Sequence, residues 1–439
     1  MIQPSPNGPM RIAVLGGGVI GVCSAYCLAR EGHQVELTDA ADDVALGASG
    51  SNAGLVVPPD SIVWNTPDAW AELFRAFVLR RGPISVRPTA GPGLIPWGMR
   101  FLAHSTRRRS DASARAAEAL SSYSARELQA LASEAGVEPA PVPNGMVFFA
   151  RDARVLSATA AARSLLAHAG HEFRQLTPEE LARLDPGFAR TSQHIAGALY
   201  APDAASGDCA AFTRALAAKC RELGVRFRFA ERVTGFDADA QSIRAVHTTR
   251  GRVQADAYVL ALGARSPEVA RTAGLNLPVV PVKGYALTAP IGDDAAVPRI
   301  GGVDEGRHVA FSRHGSSLRL STGAEFAGFD EQLRPEPLRF LEATGRDLFG
   351  DAIDWSAGSG RSGFRPVSAD GVPYIGRSPR RNLFVNAGHG HLGWTQAAGS
   401  ARLLADLIAG RPPAIDPCPY LPDRRSHGEK EGLRWRSSS

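Results

Sequence analysis

The sequence predicts an α/β protein in which a parallel sheet, assembled from separate segments of the chain, is interrupted by an inserted α+β unit with a mainly antiparallel sheet. Three observations support this prediction. An apolar strand, a glycine-rich loop and a helix follow one another at 11–30. The same order of strand and glycine-rich turn returns at 257–263 and at 382–393. Between them, 58–190 lacks this alternation, and 279–323 is rich in β-branched residues and strand-like.

The N-terminal segment combines a strand, glycines, a helix, a second strand and an acid in a fixed order. Arg11–Leu15 is a short apolar strand, Gly16-x-Gly18-x-x-Gly21 follows at once, and Asp39 closes the second strand. Gly16 permits a tight turn, Gly18 lets the backbone approach a pyrophosphate, and Gly21 lets the helix pack on the strand. The helix N-terminus attracts phosphate, and the acid accepts a ribose hydroxyl. We therefore predict a Rossmann-like dinucleotide-binding unit with cofactor contacts at Gly16, Gly18, Val19, Ile20, Gly21 and Asp39.

Two further loops of small residues extend this site. The first, 47–54, follows the second strand and offers hydroxyls, an amide and exposed backbone, so that a flat ring can approach it closely. The second, 388–393, lies near the other end of the chain and leads into a helix. One ligand held from both chain ends must be long, which favours FAD over NAD, and the strand 257–263 adds a further small-residue turn. The predicted contacts are Ser49, Ser51, Asn52, Ala53, Gly54, Gly263, Gly388, His389, Gly390, Leu392, Gly393, Trp394 and Thr395.

Composition excludes several other classes of protein. Charged residues make up 21% and apolar residues 44% of the 439 residues, which is typical of a globular chain. The net charge of +5 forms no basic stripe, and aromatics are only 7%, so we expect no nucleic-acid partner. Five cysteines without a repeating spacing argue against a disulfide framework, and no metal site is predicted. The strand, loop and helix explain the uncharged run 12–29, so we expect a cytoplasmic protein without a transmembrane segment, with peripheral contact to the inner membrane left open.

The two predicted units alternate along the chain. The cofactor-binding unit is discontinuous and comprises 1–60, 195–278 and 365–415. The substrate-binding unit comprises 61–194 and 279–364. The basic tail 422–439 fits neither unit, and we expect it to be disordered. His314, which lies in a β section beside an arginine, is expected at the surface.

Several motifs resemble those of one known family in their order along the chain. They are Gly16–Gly21, Ser51–Gly54, Gly207–Asp208 with Phe212–Thr213, Pro281–Tyr285, Gly363–Pro366 with Asp370–Gly371, and Gly388–Thr395. On these motifs, 11–421 resembles the FAD-dependent D-amino acid dehydrogenases, in the group that includes D-amino acid oxidase, glycine oxidase and sarcosine oxidase. The resemblance implies FAD and a further cofactor contact at Val233. Some relatives attach FAD through cysteine or histidine, but no cysteine lies near 363–371 and loop 47–54 contains neither residue, so noncovalent binding is predicted.

The resemblance also implies a substrate site. Arg365 is similar to the arginine that binds the substrate carboxylate, and its guanidinium suits bidentate binding of a carboxylate. Tyr285 is implied as a hydroxyl contact to the substrate and Lys283 as a residue near the flavin. The implied reaction is oxidation of a D-amino acid to its imino acid by hydride transfer to flavin N5. Hydrolysis then gives the 2-oxo acid and ammonia.

Two alternatives stay open on the sequence. One is an amine oxidase or dehydrogenase for glycine, sarcosine or a D-proline-type secondary amine. The other is a flavin-carrying subunit of a larger electron-transfer complex. The sequence does not distinguish oxygen, a quinone or another carrier as the electron acceptor, and it does not identify which amino acid is oxidised.

Overall fold

A computed structural model describes residues 8–69, 84–138, 140–167 and 170–424. In chain order, the α-helices of these residues are α1 (Val19–Arg30), α2 (Leu94–His104), α3 (Arg107–Ala135), α4 (Ala153–Ala167), α5 (Pro178–Leu184), α6 (Cys209–Glu222), α7 (Ser266–Thr272), α8 (Pro335–Phe349) and α9 (Ala397–Ala409).

The strands of the same residues fall into two large and two small sheets. In chain order they are β1 (Arg11–Leu15), β2 (Gln34–Thr38), β3 (Leu55–Val56), β4 (Ile84–Val86), β5 (Met146–Ala150), β6 (Arg174–Leu176), β7 (Gly197–Ala201), β8 (Ala205–Ser206), β9 (Arg226–Arg228), β10 (Val233–Ala238), β11 (Ile243–Thr248), β12 (Gly251–Val253), β13 (Ala257–Leu260), β14 (Val279–Pro290), β15 (Gly301–Asp304), β16 (Val309–His314), β17 (Ser317–Phe326), β18 (Ser359–Ser368), β19 (Tyr374–Arg377) and β20 (Leu383–Ala387).

The first large sheet has the strand order β19-β20-β13-β1-β2-β9 and is parallel except at the β19–β20 pair. Its central strands β1 and β13 are almost wholly apolar, as strands covered on both faces must be. Helices α1, α6 and α9 pack on one face. The small antiparallel sheet β10–β11–β12 and helix α7 cover the other face. The carboxyl ends of β1, β2, β13 and β20 therefore lie along one edge of the sheet, where the glycine-rich loops begin.

The second large sheet has the order β18-β14-β17-β16-β15-β5-β7-β6, with β4 beside β17. It is antiparallel except at the β15–β5 and β17–β4 pairs. One of its faces is apolar and packs against helix α8, with Phe149 and Phe311 from the sheet and Leu341 from the helix in one cluster. The other face carries polar side chains such as Ser312 and Arg319, which lie against loop 47–54 of the first unit, and apolar ones such as Phe148 and Val282, which pack in separate clusters. The predicted combination of a parallel and a mainly antiparallel sheet is confirmed.

Strand membership differs from the predicted unit boundaries in two places. β7 (Gly197–Ala201) lies in the second sheet, although 195–278 was expected with the first unit. β18 continues to Ser368, past the predicted boundary at 365, because its whole length pairs with β14. The division of the chain into two domains otherwise stays a prediction.

The beginning of the predicted tail is ordered. The Arg424 guanidinium binds both carboxylate oxygens of Asp370 at 2.9 Å and lies 3.8 Å from the centre of the Tyr374 ring. The expectation of disorder is therefore wrong for 422–424, and 425–439 lie outside the described residues. Helix α3 begins at Arg107, so the arginine run 107–109 forms its first turn. None of the described helices has both the length and the apolar composition needed to cross a membrane.

Candidate active site

The N-terminal glycine loop is shaped by two close approaches between backbone segments. Gly16 has a φ of +117°, and a Cβ there would lie 2.3 Å from the carbonyl oxygen of Ala261, at the end of β13. A Cβ at Gly21 would lie 1.8 Å from the Gly16 carbonyl oxygen. Only glycine fits these two positions. Gly18, the N-cap residue of α1, has only the Ser49 Oγ within 4 Å of its ideal Cβ position, which leaves room for a phosphate at the helix N-terminus.

The acid at the end of β2 lies beside this loop. Asp39 Oδ2 accepts a hydrogen bond from the Gly17 amide at 2.6 Å, and Oδ1 accepts from the Ala41 amide at 2.8 Å. The Glu231 amide donates to the Asp39 carbonyl at 2.9 Å, which brings the segment before Val233 to the end of β2. Val233 itself is buried at the start of β10. The structure therefore brings the predicted acid and the start of β10 to one edge of the sheet.

Loop 47–54 links the two units. The Ser49 hydroxyl accepts from the Val19 amide at 3.0 Å, so the loop begins over the N-terminus of α1. The loop also contacts β18, where a Cβ at Gly363 would lie 2.0 Å from Ser51 Oγ. Ser312 of β16 donates to the Ala53 carbonyl at 2.6 Å. The loop thus extends from the predicted phosphate position to the second sheet, as one long ligand would require.

His314 is buried beneath this loop, and its expected place at the surface is wrong. Only 2% of its side chain is exposed. Its Nδ1 lies 3.5 Å from Asp208 Oδ2, and its Nε2 lies 3.2 Å from Ser312 Oγ. Gly54 has a φ of +76°, and a Cβ there would lie 2.5 Å from the imidazole. Burial lowers the pKa of His314, so the ring is neutral at neutral pH.

The C-terminal glycine loop is tied to the end of β18. Gly388 and Gly390 have φ values of +85° and +56°, and the Gly390 amide donates to the Pro366 carbonyl at 2.9 Å. Thr395 Oγ1 accepts from the Val57 amide at 3.0 Å, which joins the loop to the N-terminal segment. The helix expected after this loop, α9, begins at Ala397. The C-terminal glycine loop therefore lies against both the N-terminal segment and β18, although these are far apart in sequence.

Four side chains of this loop have different environments. The Trp394 ring is buried 5.0 Å from Phe212, and Leu392 is buried in the core. His389 is buried, its Nε2 has no hydrogen-bond partner among the described residues, and burial lowers its pKa to about 3. His391 stacks on Trp64 with ring centres 5.3 Å apart; desolvation, and then the charge of Arg365, lower its pKa to about 4. Both imidazoles are therefore neutral at neutral pH.

Arg365 carries a positive charge beside the C-terminal glycine loop, where it acts on His391. Its Nη1 donates to the Gly323 carbonyl at 2.6 Å. A Cβ at Gly284 would lie 2.5–2.7 Å from Nη1, Cζ and Nη2, so the guanidinium lies flat against this glycine. No carboxylate of the described residues forms an ion pair with it. Burial lowers the pKa of Arg365 to about 10, and the group stays charged at neutral pH.

Tyr285 and Lys283 lie on the other side of the sheet. In the β14–β18 pair, Val282 is opposite Arg365 and Gly284 is opposite Gly363, so these residues share one face, the site face. Lys283 and Tyr285 alternate with them and lie on the opposite face, the far face. The Tyr285 hydroxyl donates to Glu325 Oε2 at 2.6 Å, and Lys283 Nζ donates to the Gln332 carbonyl. The predicted contacts of these two side chains with substrate and flavin are at odds with this placement, because the strand pair separates them from Arg365.

The site also contains residues that the sequence did not single out for a role. Gly284 supports the Arg365 guanidinium, and Gly323 supplies the carbonyl that orients it. Arg319 donates from Nη1 to the Asn52 carbonyl at 3.3 Å and from Nε to Thr288 Oγ1 at 2.9 Å. Gly284 lies inside the 281–285 motif, between Lys283 and Tyr285, whose side chains lie on the opposite face. This alternation along the strand is the signal that could have identified Gly284.

This arrangement fits FAD. The helix N-terminus at Gly18, whose N-cap residue has no side chain, and the close-packed Gly16 turn suit a pyrophosphate, and Asp39 lies where a ribose would follow. Loop 47–54 and loop 388–393 both reach β18, so a ring system extending from the pyrophosphate would lie next to Arg365. The His389 Nε2, buried and without a partner among the described residues, is a polar atom available to such a ligand.

Comparison with known proteins agrees with this geometry. The family described as "DAO: FAD dependent oxidoreductase" matches residues 11–407. A D-amino acid dehydrogenase 2 from Mesorhizobium japonicum is 39% identical over 93% of this chain and 98% of its own length. A D-amino acid dehydrogenase from Rhizorhabdus wittichii is 38% identical, again over 93% of this chain and 98% of its own length.

Solved structures share the fold. Glycine oxidase from Geobacillus kaustophilus superposes with a TM-score of 0.70 at 23% identity, over 95% of this chain and 99% of that protein. L-proline dehydrogenase from P. horikoshii gives a TM-score of 0.69 at 18% identity, over 97% of this chain and 98% of that protein. At these identities the likeness concerns the fold alone.

Proposed function

The chain belongs to the DAO family of FAD-dependent oxidoreductases, and we propose that it oxidises a D-amino acid to the corresponding imino acid. The observation that supports this substrate class is the environment of Arg365. A half-buried cation without a described acidic partner is costly unless a ligand supplies the negative charge. A substrate carboxylate has the charge and the planar geometry that a guanidinium binds best.

The proposed reaction removes a hydride from the α-carbon, and the neutral amine releases one proton to solvent as the C=N double bond of the imino acid forms. When bound, FAD accepts the two electrons and the hydrogen. The imino acid then reacts with water to give the 2-oxo acid and ammonia. We assign the FAD contacts to the residues at the first sheet edge and on the two linking loops. They are Gly16, Gly18, Val19, Ile20, Gly21, Asp39, Ser49, Ser51, Asn52, Ala53, Gly54, Val233, Gly263, Gly388, His389, Gly390, Leu392, Gly393, Trp394 and Thr395.

The protein's contribution to this reaction is orientation. Arg365, held flat against Gly284 and by the Gly323 carbonyl, fixes the carboxylate and with it the α-carbon. His389 and His391 are neutral, so neither competes with Arg365 for the carboxylate. In this proposal neither histidine is required as a base, because the hydride leaves with its electron pair.

An anaerobic substrate panel tests the proposal. The purified chain is mixed with D- and L-amino acids, glycine, sarcosine and D-proline, and loss of the oxidised flavin absorbance is followed. We expect D-amino acids to reduce the flavin and their L-enantiomers to leave it oxidised. Reduction by glycine or sarcosine alone would favour the amine oxidase alternative. Failure of every compound with the isolated chain would favour a subunit of a larger complex.

We propose that FAD is bound noncovalently. Four of the cysteines, Cys23, Cys27, Cys209 and Cys220, are buried in the core, and Cys418 is exposed on the segment after α9. Acid precipitation of the yellow protein should therefore release the flavin into the supernatant. Flavin retained by the washed precipitate would contradict noncovalent binding.

We also propose that helix α2 contacts an anionic membrane surface. Ile95 and Met99 on its outer face are 68% and 63% exposed, whereas Trp97 and Phe101 on its inner face are buried. The exposed Arg100 lies on the same helix, and α3 begins with exposed arginines. Apolar side chains flanked by arginines suit an interface with anionic lipid headgroups.

Sedimentation with vesicles tests this contact. The protein should sediment with phosphatidylglycerol vesicles and much less with phosphatidylcholine vesicles. The double substitution Ile95→Ser/Met99→Ser should abolish sedimentation, whereas Phe340→Ser, at a 44% exposed position on α8, should not. Equal sedimentation of both variants would contradict a contact through α2.

A further inference from the structure

Strand β17 contains a β-bulge beside Arg365. Lys283 pairs with Glu325, but Tyr285 pairs with Thr322, so two steps along β14 correspond to three along β17. The extra residue falls at 323–324, and Gly323 has a φ of +87°, a conformation that favours glycine. The Gly323 carbonyl is the acceptor for Arg365 Nη1 at 2.6 Å. Among the residues that the structure describes, the bulge therefore supplies the one hydrogen bond that orients the guanidinium.

The far face holds this bulge in place. The Tyr285 ring passes Gly323, whose ideal Cβ position lies 3.4 Å from Tyr285 Cδ2, and its hydroxyl reaches Glu325 Oε2 at 2.6 Å. This hydrogen bond spans the bulge, because Tyr285 pairs with the residue before it and Glu325 is the residue after it. Glu325 is held in turn by Arg87 Nε at 2.6 Å and lies 3.3 Å from Arg334 Nε. Both Tyr285 and Glu325 are buried.

We infer that Tyr285 is a positioning residue, which acts through Glu325 and the bulge at Gly323 on the orientation of Arg365. This inference rests on the proposed role of Arg365 in binding a carboxylate. It differs from a direct contact, because the Tyr285 hydroxyl is on the far face and is already engaged by Glu325. A bulge that is free to move would let Arg365 turn away from its bidentate geometry.

A double-mutant cycle on the FAD-loaded protein tests the inference. The probe is propionate, with propionamide as the neutral control, and binding is followed by perturbation of the flavin absorbance. We expect Tyr285→Phe to weaken propionate binding about three- to tenfold and to leave propionamide unchanged. In the Arg365→Ala background, Tyr285→Phe should have no further effect on propionate, since the hydroxyl acts only through the arginine.

Two further variants make the cycle decisive. Tyr258→Phe removes a hydroxyl that bonds to backbone in the first unit, and should leave propionate binding unchanged. If Tyr285→Phe does not fold, Glu325→Gln replaces it in the cycle. This variant should also weaken propionate binding when Arg365 is present, and should have no further effect in the Arg365→Ala background. A loss of propionate affinity from Tyr285→Phe that persists without Arg365 would overturn the inference and favour direct contact.

The outcome also separates this inference from the proposed function. Propionate binding needs no turnover, so the cycle stays readable if no D-amino acid reduces the flavin. In that case the reaction would be wrong and the positioning role would stand. Unchanged propionate binding in Arg365→Ala would contradict both, because Arg365 would then bind no carboxylate.

Discussion

The two faces of the β14–β18 strand pair both carry a cation, Lys283 buried on the far face and Arg365 half-buried on the site face, but among the described residues only Lys283 has acidic neighbours. On that face, Lys283 lies near Glu325 and Asp330, and Glu325 accepts from Tyr285 and Arg87. On the site face, Arg365 has one backbone carbonyl and no described carboxylate. Because a half-buried charge without an ion-pair partner costs stability, its presence indicates a site shaped for an external anion. The comparison thus distinguishes charges on the far face, which stabilise the fold, from the charge on the site face, which serves to bind a ligand.

The largest effect on stability should come from the far face. Glu325→Ala would leave Tyr285 and Arg87 without their acceptor and would remove the carboxylate that lies 3.3 Å from Arg334 Nε, and should lower the free energy of unfolding by about 2–4 kcal/mol. Glu336→Ala, at an exposed position on α8, should change it by less than about 1 kcal/mol. Urea unfolding of the holoprotein measures both. If Glu325→Ala and Glu336→Ala were equally stable, the charges around Glu325 on the far face would not stabilise the fold.

Gly284→Ala should disrupt the site face with little effect on the far face. The added methyl group would lie 2.5–2.7 Å from three guanidinium atoms, so Arg365 must move. A displacement on that scale should lower kcat/KM for a D-amino acid about a hundredfold. Gly292→Ala, where the nearest atom to the added Cβ is 3.6 Å away, is the matched control. Unchanged kinetics of Gly284→Ala would show that Arg365 is not held as described.

Arg365→Met should leave the protein as stable as before, or more stable. It removes a charge that has no described acidic partner, so no carboxylate is left unpaired. We expect a change in the free energy of unfolding below about 1 kcal/mol, in contrast to Glu325→Ala. A large destabilisation would mean that Arg365 belongs to the structural charges, and the comparison between the faces would fail.

The smallest effect expected is that of pH on carboxylate binding. The pKa values of His389 and His391 are lowered to about 3 and about 4, so both rings stay neutral as the pH rises above 5. Arg365 stays charged, since burial lowers its pKa only to about 10. Propionate affinity should therefore be constant between pH 6 and 8. A rise in affinity towards pH 6 would indicate that a histidine gains a proton beside the ligand.

The glycine turn of the first unit and the strand and helix beside it could be predicted, because the residues that determine their conformation lie close together in sequence. Gly16 and Gly21 contact each other, and β1 and α1 flank them directly. The same holds for the strand and turn at 257–263, although its contact with Gly16 is long-range. Sequence patterns report such neighbours well, since the backbone conformation and the apolar pattern are both local.

The site face could not be predicted in the same way. The motif that contains Lys283, Gly284 and Tyr285 gives the residue types, but the pairing of β14 with β18 decides which of them shares a face with Arg365. A shift of one residue exchanges the faces. The bulge at Gly323 adds a further change of register. His314 was misplaced for a related reason, because the loop that covers it lies far away in sequence.

The most direct test of the account compares a D-amino acid with its amide in wild-type protein and in Arg365→Ala. Anaerobic flavin reduction gives kcat/KM for both compounds. We expect the acid to lose about 3–5 kcal/mol of transition-state stabilisation, since its carboxylate would be left without a charge partner. The amide should lose less than about 1 kcal/mol, and Arg365→Lys should recover only part of the loss for the acid. Equal losses for acid and amide would show that Arg365 shapes the pocket without binding the carboxylate, and would contradict the account.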